Sequence, residues 1–161
     1  MKPTIERVAC HESGHAIASI MHGFPFDEVT IKPSKSVGTH GHILHNELDS
    51  ALLTLNMGSH SRVWRTAARE AVIGSLAGLA AEKVILGDTW EPGGASDLES
   101  AREIARYLSS DVDNYLGRMM REARALIRKC LTETKALIAK LLERKTLSWA
   151  EANDIFDTCS Q

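Results

Sequence analysis

The sequence predicts a mainly α-helical protein: a helical bundle built around one histidine-bearing helix, with a small β-hairpin near the N-terminal third. Three observations carry that expectation. Apolar residues recur every three or four positions over most of the chain, as in helices with one buried face. Aromatic residues are only 5% of the composition, so the core must be mainly Leu, Ile, Val and Ala, which suits close-packed helices better than a sandwich. Strand-like composition is confined to residues 26–44.

A chain of 161 residues reads as one domain, 1–161, with the active-site helices and hairpin in 1–109 and a helical part in 110–161. A hydrophobic content of 43% and a charged content of 25% are those of an ordinary globule. The net charge of −2 gives no reason to expect a nucleic-acid partner. Cys10, Cys130 and Cys159 are odd in number and lack metal-type spacing, which fits free thiols in a reducing, cytoplasmic setting. The N-terminus has no signal-peptide pattern. The most apolar run, Ala71 to Leu86, is short and carries Glu82 and Lys83, so no membrane span is expected.

The first element runs from Thr4 to Gly23. Ile5, Val8, Ala9, Ala16, Ile17, Ile20 and Met21 keep helical spacing; Thr4 suits an N-cap, and Gly23 followed by Pro25 is a stop signal. Gly14 inside a helix costs about 1 kcal/mol against Ala, which suggests that something approaches the backbone closely there.

Within this helix stands His11-Glu12-Ser13-Gly14-His15, an H-E-x-x-H pattern. Residues four apart share a helix face, so both imidazoles can reach one zinc ion. Glu12 is rotated about 100° from His11 and stands beside the ligands rather than among them. A carboxylate there can act as general base toward metal-activated water and return the proton to a leaving amine. The pattern therefore points to metal-assisted amide hydrolysis, with Zn2+ as cofactor and polypeptide as substrate. The competing reading is a buried helix with two hydrogen-bonded histidines.

Further along, Phe26 to Pro33 and Thr39 to Leu44 read as two strands, with a turn at Ser34 to Gly38. The edge of this hairpin could pair with an extended peptide. His40, His42 and His45 lie here; His40 and His42 alternate onto one strand face, more often a solvated arrangement than a metal site. The polar connection from Glu47 to Ser61 has no clear placement. A second helix spans about Arg62 to Leu86, with Gly74, Ser75, Ala77, Gly78, Ala80 and Ala81 suited to close packing against the first helix beside Gly14. Glu82, the one acid on that small-residue surface, could orient a metal-ligating histidine or be a helix-end charge paired with Arg or Lys.

Residues Gly87 to Gly94 read as a loop, and Ser96 with Glu99 as a capping box that starts a third helix running to about Leu108. Asp97 then falls in a first turn, where the helix dipole favours an acid even without a metal. Asp111 to about Leu142 is strongly helical, with a basic side of Arg118, Arg121, Arg124, Arg128 and Lys129 that suits a solvated face. Ser148 and Glu151 form a capping box before a short last helix.

Two histidines leave a zinc under-coordinated. The H-E-x-x-H-x-x-G-x-x-H extension fails, because Ala18 and Met21 stand where Gly and His are required. A downstream acid must complete the site, and spacing alone leaves Asp97, Glu82 and Glu70 open.

H-E-S-G-H-A, then A-G-L-A-A-E (77–82), then G-G-A-S-D-L (93–98), in that order, resemble the zinc peptidase domain of the FtsH-type ATP-dependent proteases. The segment from Arg121 to Phe156 is similar to that family's C-terminal helical bundle, so the likeness covers nearly the whole chain. The H-E-x-x-H pattern alone is unspecific; the ordered set is specific. The resemblance implies zinc held by His11, His15 and Asp97, with Glu12 as catalytic base, and Glu82 matches the acid of the family's G-G-R-A-A-E motif. It also implies a possible hexamer. Leu79 replaces that motif's Arg, and one residue before Asp97 is missing. The chain carries no AAA+ module, so the expectation is a stand-alone metalloendopeptidase acting on unfolded or flexible polypeptides, or one working with a separate ATPase or unfoldase. Two rivals stand beside it: a non-catalytic binding or assembly module, and a regulatory peptidase that cleaves one specific repressor.

Overall fold

A computed structural model describes residues 3–34, 40–45 and 61–161. These form a mainly helical structure with a small antiparallel sheet, in the order α1 (Ile5–His22), β1 (Phe26–Thr30), β2 (His42–His45), α2 (Arg62–Leu86), α3 (Glu91–Ala105), α4 (Val112–Lys129), α5 (Leu131–Arg144), β3 (Thr146–Ser148) and α6 (Trp149–Cys159).

Helix α1 begins and ends as its sequence dictates. The Thr4 side chain accepts from the Arg7 N–H, and Gly23 closes the helix at φ 70°, a left-handed conformation that Gly adopts without penalty. Its neighbour α2 is the hub of the bundle and packs on α1, α3 and α4. Gly14 explains how the two helices approach: a Cβ there would lie 2.3 Å from the Ala77 carbonyl oxygen and 2.8 Å from the Ala81 Cβ. The contact expected from the costly glycine is thus with the small-residue face of α2. The core continues through Ile17, Leu76, Ile127, Leu137 and Leu141, all fully buried.

The hairpin is shorter than its sequence suggests and is part of a larger sheet. Strand β1 stops at Thr30 rather than Pro33, and β2 covers His42–His45 rather than residues 39–44. The expected turn beyond Ser34, residues 35–38, and the connection 47–60 lie outside the described residues. A third strand, β3, makes β1 the central member, with Val29 opposite Ile43 on one side and Leu147 on the other. Thr30 Oγ1 also donates to the Lys145 carbonyl at 3.1 Å, and Phe26 meets Trp149 edge-to-face at 5.0 Å.

Two helix boundaries differ from the sequence reading. The third helix starts at Glu91, not Ser96, and ends at Ala105. Pro92 in the first turn has its φ preset for a helix, and Gly93 and Gly94 serve packing rather than a loop: a Cβ on Gly93 would strike the Trp90 ring, and one on Gly94 would strike Leu79. Asp97 consequently sits in the second turn, and Ser96 caps nothing. The long C-terminal helix is broken at Cys130, which ends α4 and starts α5; Thr134 Oγ1 donates to its carbonyl at 2.6 Å. The capping box of Ser148 and Glu151 is present in both directions. No helix among the described residues is long and apolar enough to cross a membrane.

Candidate metal centre

His11 and His15 lie one turn apart on α1, and both rings turn toward α2 and α3. Their centroids are 4.8 Å apart with planes at 73°. Each ring is fixed by an acceptor on its Nδ1. His15 Nδ1 donates to the Gly74 carbonyl at 2.8 Å, and a carbonyl can only accept, so that nitrogen carries the proton. His11 Nδ1 lies 2.7 Å from Glu82 Oε1. Glu82 is 1% exposed; its other oxygen accepts from Arg7 Nη1 at 2.6 Å and from the Trp90 N–H at 2.8 Å, so the group is a carboxylate and His11 Nδ1 is the donor.

In the neutral rings both Nε2 atoms therefore face inward with lone pairs, 3.1 Å apart. Asp97 Oδ2 reaches the same point from α3, 2.9 Å from His11 Nε2 and 3.4 Å from His15 Nε2. Three acceptors at these separations repel one another unless a cation lies among them. Three ligands of a tetrahedral zinc at about 2.0–2.1 Å would stand about 3.4 Å from one another, close to the triangle found here. His11, His15 and Asp97 are the one group of His, Cys, Asp and Glu side chains among the described residues whose ligand atoms could hold a metal ion.

Without a metal the cation must be a proton, and the electrostatics reflect this. Burial pulls His11 down, but the bonds to Asp97 and Glu82 outweigh it and push its pKa up to about 10. Burial likewise opposes charge on His15, yet Asp97 leaves its pKa raised. Asp97 resists protonation: burial favours its neutral form, but the two imidazoles hold it well below the ordinary carboxylate range.

Glu12 stands outside the triangle. It is 7% exposed, lines the same cleft as the three ligand atoms, and has no hydrogen-bond partner among the described residues. Burial raises its pKa despite the nearby histidines. Gly41, just before β2, packs above it: a Cβ there would come within 3.0 Å of Glu12 Cγ. The cleft holds about 700 Å³ and follows the α1–α2 groove.

Of the other candidates, Glu70 lines this cleft but is not among the converging ligands. His40 is exposed, with its ring 6.0 Å from Trp90, and His42 lines the cleft; neither joins a metal group among the described residues. The side chain of His45 lies outside the described part. Cys10 is buried away from the ligands, and burial pushes its thiol up to about 12. Along the basic side of α4, Arg118, Arg121, Arg128 and Lys129 are exposed and Arg124 is half-buried.

Three contributors escaped the sequence reading. Arg7, one turn before His11, pairs with Glu82 and with Asp88, each at 2.6 Å. Gly74 supplies the carbonyl that holds His15. Gly78 lets the α2 backbone lie against both rings, since a Cβ there would be 2.5 Å from His11 Nε2 and 2.6 Å from His15 Nε2. The signal for Arg7 was its spacing of four from His11 on one face.

Glu82→Ala removes the acceptor of three buried or half-buried donors at once. Breaking a buried ion pair in this way costs about 3–5 kcal/mol, and loss of a ligand-orienting carboxylate about 10–100-fold in metal affinity. Urea unfolding and chelator competition on the variant measure the two effects.

No family model matches the chain, and no curated protein matches it.

Proposed function

We propose that the protein is a zinc-dependent endopeptidase acting on unfolded or flexible polypeptides. The observation that carries this reading is the convergence of three lone-pair atoms, His11 Nε2, His15 Nε2 and Asp97 Oδ2, beside a buried carboxylate that takes no part in the triangle. The ordered motifs resembling the FtsH-type peptidase domain support it from the sequence side. By that resemblance a separate unfoldase and a hexameric assembly belong to the same proposal.

His11, His15 and Asp97 would hold the ion. When bound, it supplies Lewis-acid polarisation of the scissile carbonyl and makes water acidic enough to lose a proton near neutral pH. Glu82 and the Gly74 carbonyl keep both imidazoles in the tautomer that presents Nε2. Glu12, its pKa raised by burial, takes a proton from the attacking water and gives it to the departing amine. With no hydrogen-bond partner among the described residues, its oxygens are available for both transfers.

The test is the metal content of the purified protein together with cleavage of casein, an unfolded protein, with and without a chelator. Stoichiometric zinc and chelator-sensitive cleavage are expected. Stoichiometric zinc with no cleavage would favour a binding module, and cleavage of one folded partner but not casein a regulatory peptidase.

A pH dependence follows from the metal-free site. His11 keeps its proton until about pH 10, so a metal ion must displace it. Affinity therefore rises with pH, about tenfold per unit for each proton released. Calorimetry of zinc binding between pH 6 and 8, in buffers of different ionisation enthalpy, reads the proton count directly. No proton release would show that the rings are neutral before the metal arrives.

A further inference from the structure

We infer that the end of the cleft remote from Arg7 is a subsite for a cationic side chain, lysine or arginine, of an extended polypeptide. The inference rests on the peptidase reading for the substrate's class, and on separate residues for the selectivity. The α1 face that carries His11 and His15 continues one and two turns on to Ser19 and His22, and all four line one cleft. Glu70, near the start of α2, lines the same end.

Glu70 and Arg69 both act electrostatically on the His22 ring, with opposite sign. His22 Nδ1 is buried and has no hydrogen-bond partner. Burial lowers the pKa of His22, which favours the neutral ring. Ser19 is 6% exposed and its hydroxyl has no partner among the described residues. Glu70 is half-buried and unpaired among the described residues, because its neighbour Arg69 pairs with Glu122. A carboxylate and a hydroxyl at the end of a groove, beside a neutral imidazole, suit an ammonium or guanidinium group. Ala18, Ala71 and Phe24 line the approach and suit the aliphatic stem of such a side chain. His15 and His22 are seven residues apart, about 10 Å along a helix, which an extended peptide spans in about three residues. The basic residue thus sits about three positions from the bond that is cut.

Two measurements test this. In the first, fluorescein-labelled Ala/Ser decapeptides carrying one Lys, Leu or Glu are titrated into the full chain bearing Glu12→Gln, followed by anisotropy. The lysine peptide is expected to bind about tenfold tighter than the leucine peptide. Adding Glu70→Gln should erase that difference, and adding Glu70→Lys should turn the preference to the glutamate peptide. Equal binding of the lysine and leucine peptides, or a lysine preference that survives Glu70→Gln, overturns the inference. In the second, cleavage sites on casein are mapped for the wild type and for Glu70→Gln, where the enrichment of basic residues should vanish. Cleavage by the wild type without that enrichment overturns the subsite and leaves the peptidase standing. No cleavage by the wild type, with the Glu70-dependent lysine preference intact, overturns the peptidase and leaves the subsite standing.

Discussion

If the protein is the peptidase proposed, Glu12→Gln is expected to keep the metal and to lose about 10²–10⁴-fold in hydrolysis of an unfolded protein, the usual contribution of a positioned general base. Glutamine matches glutamate in shape, so the packing of Gly41 above the side chain is preserved. The metal stays because Glu12 is not one of the three converging ligands. Stability should move the other way from activity. Burial disfavours the charged form of Glu12 and no hydrogen bond from the described residues compensates it, so the neutral amide melts at the same temperature or higher. Zinc content, initial rates on casein and a thermal melt, all on one preparation, check the three statements. A variant that binds zinc and cleaves like the wild type would show that some other group moves the proton.

Gly78→Ala is expected to dismantle the proposed metal centre from behind. The added methyl would lie 2.5–2.6 Å from both Nε2 atoms, well inside van der Waals contact, and the Gly94–Leu79 packing allows α2 little room to retreat. The rings or the helix must shift by several tenths of an ångström, and a misplacement approaching 1 Å costs about 10²-fold in rate. Alanine favours a helix over glycine by about 1 kcal/mol, so propensity alone would predict a better protein. Gly74→Ala, one turn earlier, separates the two effects. A Cβ at Gly74 meets nothing within 4 Å, and the carbonyl that holds His15 is unchanged. That variant should be more stable by roughly 0.5–1 kcal/mol and bind zinc normally. Competition with a chromophoric chelator and urea unfolding distinguish the pair; normal zinc affinity in Gly78→Ala would mean that α2 does not press on the imidazoles.

What the sequence made legible were features with a local cause. Thr4, Gly23 and the apolar spacing define α1, and the run of small residues marks α2 as its neighbour. The convergence of His11 with His15 follows from one helix turn. What stayed hidden depended on partners distant in sequence. Gly94 read as part of a loop because its real neighbour, Leu79, is recognised only once α3 is docked. Strand β3 is three residues long and exists through its pairing with β1, which no local pattern announces. Asp97, Glu82 and Glu70 could not be separated by spacing, since α3 had to be placed before one acid could be seen to reach the rings and another to lie along the cleft.

The joining of β1 to β3 also bears on how the molecule is made. Thr30 meets Thr146 across 116 positions of chain, so the strand that follows α1 stays without its second neighbour until the segment bearing β3 has emerged from the ribosome. A contact of such span closes slowly, because a long loop must be ordered first. The wall of the cleft that carries Gly41 and His42 hangs from that strand. A nascent chain would therefore carry its histidine pair for some time before the groove around it takes shape.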